Sequence, residues 1–504
     1  MRSSTLNFFS TRYLVTAVGL LLAAVASLVL LLAPYPVNVG IIPGIVFGVI
    51  LVFVPWAGPL ILAASVPVQE FHSLPFGGLT LTATKVALVA SAAAFIIQLV
   101  SRRDKLRGSI LFIPYLVFIG AMLLSLRGAV DIHDGIAEIY RWTVTLFALA
   151  LALYGIRSRA AILATAFAMG FGVIFEGLLG VFQTLRDQGP ASFAITSSIS
   201  RAYGTFGKPN TFAAYFELTG PLLAALAVWS LARSITLFRQ YRIARLDGMN
   251  ASAKLRRELT LSIVLCVWFA GSSVLSLLAI VASFSRGAWL GITAAAIVMV
   301  MLSDRRAALV VGCVSVLVIL GLAAGGGQYA PPAIKDRFGQ LASQVRIFNS
   351  NDVLLTNANF AAVERMAHWQ TGIAMFDAYP FTGVGIGNFN ARFAQFAVNP
   401  SFTVSEGHAH NYYINAAAET GGVGLAAYLW FILTGLWISL RPVFKSTSPF
   451  ARAVGIGAVG VTVALMVHNV VDDLHVLNLG VQLSVVWALA IIVDRYLPSE
   501  AEVT

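Results

Sequence analysis

Runs of about 20 apolar residues recur along most of this chain, and they restrict its fold more than any other feature. A run of that length can cross the hydrocarbon core of a bilayer as an α-helix. Hydrophobic residues make up 58% of the 504 positions and charged residues 11%, which excludes a soluble protein. The runs do not alternate with period two, so helices rather than a closed β-barrel are expected to satisfy the backbone in lipid. The sequence predicts an all-α polytopic membrane protein.

We predict about 12 to 14 transmembrane helices, with a mean hydropathy of +0.84 over the chain. The first segment is too long for the core of a signal peptide and lacks a small-residue cleavage site, so we expect it to be retained. The third segment is short, and the orientation of everything after it depends on whether it crosses. The candidate segments are 14–34, 38–54, 57–69, 79–100, 109–126, 135–155, 160–184, 210–233, 259–284, 287–302, 307–325, 420–440, 452–470 and 478–494.

The loops between these segments differ in charge, which predicts their orientation. Basic loops fall on one side of the membrane, and the positive-inside rule makes that side the cytoplasm. The opposite side carries residues 186–209 and one large loop, 326–419. We therefore divide the chain into an N-terminal transmembrane bundle (1–325), an extracytoplasmic loop subdomain (326–419) and C-terminal transmembrane helices (420–504). The basic loops are 101–107, 157–159, 239–257, 304–306 and 441–452.

The net charge of +11 raises the question of nucleic-acid binding. Loops of membrane proteins on the inner face are rich in Lys and Arg whatever the protein does. No soluble basic domain is visible that could carry a nucleic acid. We therefore expect the bilayer, and no nucleic acid, among the partners of this chain.

Two arginines stand out at predicted external positions. Arg286 lies at the hairpin between two apolar runs, where it could bind a ligand or extend to the lipid headgroups. Arg365, His368 and Trp369 share one face of a predicted helix at i, i+3 and i+4. The glycine-rich stretch 379–389 follows, and it predicts a tight turn, because the strand that a dinucleotide-binding loop requires is missing before it.

The stretch 405–424, SEGHAHNYYINAAAETGGVG, places polar residues just before an apolar run. Asn411, Asn415 and Glu419 recur every four residues and form a predicted polar stripe on one helix face. His408 and His410 could ligate a metal ion with Glu406, could lie idle at the interface, or could act on a substrate as a base or hydrogen-bonding group. On a helix, His408 would point away from His410. Gly421 and Gly422 are expected to break the helix.

His468 and Asp472 are four residues apart at another predicted external end. The spacing is typical of a hydrogen-bonded pair that orients an imidazole, and capping of a helix is the alternative. Lys85, Glu176 and Glu217 lie inside or near predicted spans, and no motif explains them.

Taken together, these stretches resemble the O-antigen ligase and polymerase superfamily, bacterial membrane glycosyltransferases that use polyprenyl-diphosphate-linked glycans. The resemblance runs over about half the chain, from Arg201 to Asp473. Each motif is weak alone, but four in the family's order are specific. This chain is longer than is usual for the family and has more predicted spans. The match begins with the stretch 201–210, and the four motifs are 285–290, 365–369 with 380–389, His410 to Gly421, and 468–472.

The resemblance implies a glycosyltransferase-C-like membrane fold in which Arg286 and Arg365 hold the diphosphate of the lipid donor and His410 acts on the acceptor hydroxyl. Guanidinium groups match phosphate oxygens well, which agrees with that assignment. We expect these three to be catalytic, with no metal site and no cofactor. The remaining polar residues of the motifs are expected to bind substrate: Arg201, Lys208, Asn210, Trp369, Asn411, Glu419, His468 and Asp472.

The implied function is transfer of a glycan from polyprenyl (undecaprenyl) diphosphate to an acceptor hydroxyl, by an O-antigen ligase or a polysaccharide polymerase. The implied location is the bacterial inner membrane, with the site facing the periplasm. One alternative is a protein O-oligosaccharyltransferase of the same superfamily. Another, of a different class, is a transporter or flippase of lipid-linked glycans, which would carry charged residues at several depths of the bundle. The loop 326–419 is expected to form short helices that cap a cavity.

Overall fold

The computed structural model describes residues 51–497 with internal gaps, and all statements below concern these described residues. Outside them lie the predicted span 14–34, nearly all of the predicted spans 38–54 and 307–325, and nearly all of 337–348, an amphipathic stretch of the loop 326–419. Glu406 also lies outside them. The internal gaps are 52, 55, 70–73, 77–78, 103–106, 197–198, 247–251, 305, 307–308, 310–346, 357–358 and 406.

The described chain is almost entirely helical, as predicted. Two short antiparallel hairpins interrupt the helices: β1 (Leu74–Phe76) pairs with β2 (Leu79–Leu81), and β3 (Ala194–Thr196) pairs with β4 (Ile199–Ser200). The helices are α1 (Ala57–Ser65), α2 (Ala83–Arg102), α3 (Phe112–Ser125), α4 (Ile132–Gly155), α5 (Arg159–Leu185), α6 (Pro209–Glu217), α7 (Gly220–Leu246), α8 (Ala253–Ala282), α9 (Arg286–Ser303), α10 (Phe360–Ala378), α11 (Phe389–Phe396), α12 (Tyr412–Lys445), α13 (Pro449–His468) and α14 (Leu479–Arg495).

Seven described helices are long and apolar enough to cross a membrane, which confirms the all-α polytopic class. They are α4, α5, the α6–α7 pair taken as one span, α8, α9, α12 and α13. Helices α1 and α3 are apolar but shorter, α2 contains a shorter apolar segment at 84–100, and α14 has 17 residues. The third predicted segment is among the short ones. The total of about 12 to 14 spans stays a prediction, because several segments lie outside the described residues.

Local sequence explains where many of these helices begin. A side-chain oxygen at the N-cap accepts a hydrogen bond from the free backbone N–H groups of the first turn. Ser158 caps α5, Ser252 caps α8, Ser285 caps α9 and Ser448 caps α13 in this way. The cap at Ser285 fixes the start of α9 immediately before Arg286. The α6–α7 pair, α8 and α12 are longer than the predicted segments 210–233, 259–284 and 420–440 and extend into the loops.

The bundle packs around α14, which is buried along nearly its whole length. Its neighbours include α4, α12 and α13. Trp487 of α14 packs edge-on against Phe431, and its indole N–H donates to Thr462 Oγ1 at 2.9 Å. Large apolar side chains such as Leu178 and Val267 point outward from α5 and α8, as expected for surfaces that face lipid.

The two ends of the bundle carry different loops. One end, here called the basic-loop end, joins the C-terminal end of α4 to the start of α5 and that of α12 to the start of α13. The other end, here called the site end, holds the N-terminal ends of α6, α9 and α12 and the C-terminal end of α13. The predicted basic loops within the described ranges lie at the first end, and the predicted external loops lie at the second. Which end faces the cytoplasm stays a prediction from the positive-inside rule.

The described part of the large loop forms two helices, α10 and α11, joined by the glycine-rich turn 379–389. The turn lies against a kink in α12 at Gly421, where φ is +66°. A Cβ at Gly421 would lie 2.2 Å from the carbonyl carbon of Phe381, so only glycine fits there. Gly421 does not end α12 but bends it, and the bend receives the turn.

Candidate active site

The predicted site residues gather at the site end of the bundle, beginning with Arg201. This arginine lies in the loop before α6. Its Nε donates to the carbonyl of Ser283 at 2.9 Å, and its Nη2 donates to Asn210 Oδ1 at 2.8 Å. The first bond ties the loop to the end of α8, three residues before Arg286. Two motifs that are far apart in sequence are thereby joined.

The loop that carries Arg201 is held from beneath by α5. Glu176 accepts hydrogen bonds from the backbone N–H and the hydroxyl of Thr205, at 3.0 and 2.8 Å. Gln183 accepts from the N–H of Gly204 at 2.8 Å and donates to its carbonyl at 3.1 Å. Gly204 has a φ of +56° and leaves no room for a Cβ beside Glu176. Glu176, which no motif explained, fixes the shape of the Arg201 loop.

Asp472 lies at the centre of the cluster. Asn210 Nδ2 donates to Asp472 Oδ2 at 2.5 Å, and the backbone N–H of Asp473 donates to Oδ1 at 2.9 Å. The same Oδ1 lies 4.0 Å from His408 Nε2 and 3.9 Å from His410 Nδ1. Burial raises the pKa of the Asp472 carboxyl, but the neighbouring histidines lower it more, and it stays well below its usual range. Asp472 is therefore an ionised group that faces both histidines.

His408 and His410 occupy an irregular turn before α12, not a helix. His410 has a φ of +52°, and its backbone N–H donates to His408 Nδ1 at 3.1 Å. The two rings lie 4.6 Å apart between centroids. The expectation that His408 points away from His410 is wrong, because it assumed helical geometry. Burial, followed by the nearby His410, lowers the pKa of His408 to about 4, so its ring is neutral near pH 7.

The His410 ring is positioned by α10. Trp369 Nε1 donates to the His410 carbonyl at 3.2 Å, and the His368 ring lies 5.4 Å from the His410 ring between centroids. His410 Nδ1 is buried and has no hydrogen-bond partner among the described residues. The helical face predicted for Arg365, His368 and Trp369 is therefore present, and it faces the histidine turn.

Arginine side chains make this cluster strongly cationic. Arg365 projects from α10 toward Asp472, and its buried Nε and Nη1 have no hydrogen-bond partner among the described residues. Burial lowers its pKa, and the carboxylates of Asp472 and Glu364 oppose that shift. Burial also lowers the pKa of Arg201, and the nearby Arg286 and Arg365 add to the effect. Three guanidinium groups therefore lie close enough to repel one another.

Lys208 adds a further positive charge to this part of the site, and Asp472 adds a negative one. Lys208 is the exposed N-cap residue of α6, and its charge reaches His408. The Asp472 carboxylate interacts with Arg201, Arg365 and both histidines. The cations outnumber it, which is the balance expected of a site for a multiply charged anion.

The spacing of His468 and Asp472 suggested a pair, but their side chains do not form a hydrogen bond with each other. His468 Nδ1 lies 2.5 Å from Glu217 Oε2 of α6, and both side chains are almost fully buried. Only the backbone joins His468 to Asp472, whose N–H donates to the His468 carbonyl at 3.0 Å. The His468 ring packs against Gly287 at the start of α9. The pair thus fixes α6, α9 and α13 below Arg286, and it explains Glu217.

The predicted polar stripe on α12 shapes the turns around the site. Asn411 is the N-cap of α12 and accepts from the N–H groups of Tyr413 and Ile414. Asn415 accepts from the N–H of Ala409 at 3.1 Å, which holds the histidine turn. Glu419 accepts from the N–H of Phe389 at 3.0 Å, at the start of α11. Their predicted contacts with substrate stay predictions.

The structure therefore unites most of the predicted site residues and adds others. Arg201, Asn210 and Asp472 are linked by hydrogen bonds, while Arg365 and His410 face the same space. Sequence reasoning missed Glu217 as the partner of His468. One signal was available, since Asn210 and Glu217 are seven residues apart and therefore lie on one helix face. It also undervalued His408, whose role depends on an irregular turn.

One group of side chains here could hold a metal ion. Three donor atoms, one each from His408, His410 and Asp472, lie within 4.8 Å of one another. Two imidazoles and a carboxylate form a known ligand set for zinc and similar ions. Glu406, the third ligand considered from the sequence, lies outside the described residues. A second group, Asp131, His133 and Asp134, is exposed.

Comparison with known proteins agrees with the motifs. The model of the family described as O-antigen ligase matches residues 271–429. The match covers Arg286, Arg365 and His410, whereas Arg201 and Asp472 lie outside it. No curated protein matches the chain. The resemblance suggested by the sequence motifs is thus confirmed over residues 271–429, which match the O-antigen ligase family, and the seven candidate spans make the chain a multi-pass membrane protein.

Proposed function

We propose that this protein transfers a glycan from a polyprenyl diphosphate to an acceptor hydroxyl at the site end of the bundle. The observation that carries the proposal is the Arg365 side chain, with two buried nitrogens that lack hydrogen-bond partners among the described residues. A buried guanidinium without acceptors is costly, and an anionic ligand would remove that cost. A diphosphate also carries enough charge to suit three neighbouring arginines.

In this proposal the arginines bind the donor. Arg201 is already oriented by Asn210 and by the carbonyl of Ser283, so it presents its guanidinium in one direction. Arg286 and Arg365 approach from α9 and α10. As the bond from the anomeric carbon to the diphosphate oxygen breaks, charge builds on the leaving group, and fixed guanidinium groups stabilise it. The polyprenyl diphosphate leaves with the bonding electron pair.

His410 would act on the acceptor in the same step. The acceptor oxygen forms the new bond to the anomeric carbon, and its proton passes to His410. With Nδ1 facing Asp472, the other ring nitrogen, Nε2, is the atom available to take that proton. The Asp472 carboxylate would stabilise the imidazolium that results. Atoms and charges then balance without any other reactant.

The proposal needs no metal ion, although His408, His410 and Asp472 could accept one. The charges of Arg201 and Arg365, which act on the same carboxylate, would repel a divalent cation. Both Asp472 oxygens already accept hydrogen bonds. We therefore favour the metal-free mechanism, and the experiment below includes the alternative.

The finer assignments follow from the family and the charge pattern. We propose an inner-membrane enzyme with the site facing the periplasm, an undecaprenyl-linked donor, and an O-antigen ligase or polysaccharide polymerase reaction. Transfer to a protein hydroxyl is the alternative within the superfamily. Against a transporter, Glu176 and Glu217 each have a fixed partner within the described residues and so do not form a free path of charges.

The test uses the full-length protein in nanodiscs with a lipid-linked glycan and a sugar acceptor. We expect covalent transfer that EDTA does not reduce and that Arg365→Ala abolishes. Transfer that EDTA abolishes and added zinc restores would favour the metal site. Movement of the lipid-linked glycan across liposomes without covalent transfer would favour a transporter and contradict the proposal.

A further inference from the structure

A cavity separate from the arginine cluster opens beside the histidine turn, between α4 and α12. Its volume is about 270 Å³. That is close to the lower limit of about 300 Å³ for small-molecule sites, so it suits a single sugar ring rather than a long glycan. Small residues, Ala137, Ala416 and Gly387, provide the space. The polar groups that line it include Glu138, Arg141, Asn415, Glu419 and Asp473.

The lining is rich in carboxyl groups and poor in available cations. Arg141 is the one Arg or Lys among the lining residues of the described chain. Its guanidinium already pairs with Glu138 and donates to the carbonyl of His475 at 2.9 Å. His408 also lines the cavity, and its Nδ1 already accepts a hydrogen bond from the backbone N–H of His410. A phosphate or carboxylate would therefore meet acidic groups and find no unengaged guanidinium or ammonium group there.

A polyhydroxylated ligand would find suitable partners instead. Carboxyl and amide groups bind hydroxyls as donors or acceptors, and the ring of Tyr412 also lines the cavity. The lining chemistry matches a sugar without ionised substituents.

The cavity and the arginine cluster are neighbours, and the histidine turn lies between them. His408 lines the cavity, and its Nε2 lies 4.0 Å from Asp472, which reaches Arg201 through Asn210. None of the three arginines lines the cavity. The histidine turn therefore separates an anionic half of the site from a cationic half.

We propose that this cavity is the acceptor subsite, and that it binds the sugar ring bearing the reactive hydroxyl, a ring without phosphate or carboxylate substituents. The inference rests on the proposed function for its assignment to the acceptor. The binding of a neutral sugar in the cavity does not depend on that function and is tested separately.

The first test measures sugar binding without any donor. Saturation-transfer NMR is recorded on the full-length protein in nanodiscs with methyl glucoside and with glucose 6-phosphate as probes. We expect a signal from methyl glucoside and at least about tenfold weaker binding of the phosphorylated sugar, because the lining offers it no free cation. Ala137→Trp, which fills the cavity, should remove the methyl glucoside signal.

The matched control is Ile136→Trp, one residue earlier on α4. Ile136 is 56% exposed and does not line the cavity, so this variant should bind methyl glucoside like the parent protein. Equal binding of the two sugars, or a signal that Ala137→Trp leaves unchanged, would overturn the proposal.

The second test uses transfer kinetics to separate the two proposals. Ala137→Trp should raise the KM for the acceptor by about tenfold or more and leave the affinity for the lipid-linked donor unchanged. Normal transfer with an unchanged acceptor KM would refute the acceptor subsite and leave the proposed function intact. Sugar binding that Ala137→Trp removes, in a protein that transfers nothing, would refute the proposed function instead.

Discussion

The arginines at the two ends of the bundle are treated differently by the fold. At the basic-loop end, Arg107 donates to the carbonyls of Leu153 and Ile156, which end α4. Arg159 lies over the rings of Trp229 and Phe450, and Arg441 pairs with Asp494 at 2.7 Å. At the site end, Arg365 has two buried nitrogens without partners among the described residues. A buried guanidinium whose nitrogens find no acceptor within the fold is prepared for a ligand.

Histidines are divided in the same way between the two ends. All six described histidines lie at the site end: His133, His368, His408, His410, His468 and His475. Histidine is the side chain whose ordinary pKa lies near neutrality, which suits it to proton transfer. Its concentration at the site end therefore agrees with a reaction there. The comparison therefore predicts that changes at the site end alter activity and pH dependence, and that changes at the basic-loop end alter stability.

The largest effect is expected from Arg365→Ala. Two lost charge-assisted hydrogen bonds, at about 1.5–3 kcal/mol each, correspond to roughly a 10²- to 10⁴-fold loss of donor affinity. The fold should persist, because the buried Nε and Nη1 hold no structural bond. Donor affinity and thermal unfolding are measured on the same nanodisc samples. Arg159→Ala is the control. An equal loss of donor affinity in both variants would contradict the proposal that only arginines at the site end bind the donor.

The next effect is expected from His410→Ala, which removes the proposed base. Transfer should fall by about 100-fold or more while donor affinity stays near normal. His408→Ala should reduce transfer less, since His408 acts by holding the His410 backbone through its Nδ1. Donor affinity and single-turnover rates are measured separately for each variant. A loss of donor binding in His410→Ala, with unchanged transfer per bound donor, would make His410 a donor ligand.

A smaller effect is expected when pH changes the stability of the site end. Burial lowers the pKa of His475 to about 3 and that of His408 to about 4, so both stay neutral when folded and protonate in the unfolded chain below about pH 6.5. The unfolded state then binds more protons, and stability falls as pH falls from about 6.5. Asp473 has the opposite effect, because burial raises its pKa to about 6. Its contribution to stability is present at low pH and is lost as pH rises through about 6.

Thermal unfolding midpoints between pH 7 and 4.5 measure this dependence. His475→Gln should flatten the curve, because it removes the group with the lowest histidine pKa. His133→Gln is the control, since its side chain is 92% exposed and should leave the slope unchanged. A slope that His475→Gln does not alter would show that the buried histidines do not set the pH dependence.

The smallest effect is expected at the basic-loop end from Arg441→Ala. Loss of the pair with Asp494 should cost about 1 kcal/mol of stability, as for a partly exposed ion pair. Donor affinity and turnover should not change, because this pair lies at the far end of α12 from the site. Unfolding midpoints and transfer rates are measured together. A loss of donor affinity in this variant would indicate that the two ends are coupled.

The sequence by itself determined the helices and the chemistry that they carry. Apolar run length and the charge of the loops are local properties, so the long helices and the grouping of the basic loops could be predicted directly. The same holds for Arg286, Arg365 and His410, which lie in short motifs of a known superfamily. Local rules also predicted the turn 379–389 and a break of the helix at Gly421 and Gly422, where the structure has a kink.

Only the tertiary structure decided which side chains meet. Glu217 and His468 are 251 positions apart, and Asn210 and Asp472 are 262 apart, so their contacts arise from how α6 packs beside α13. The spacing of His468 and Asp472 favoured a local pair. Instead, helix packing places Glu217 beside the buried His468 ring, and the two form the hydrogen bond. The histidine turn and the cavity beside α4 likewise depend on a positive φ and on helix packing, which no sequence period encodes.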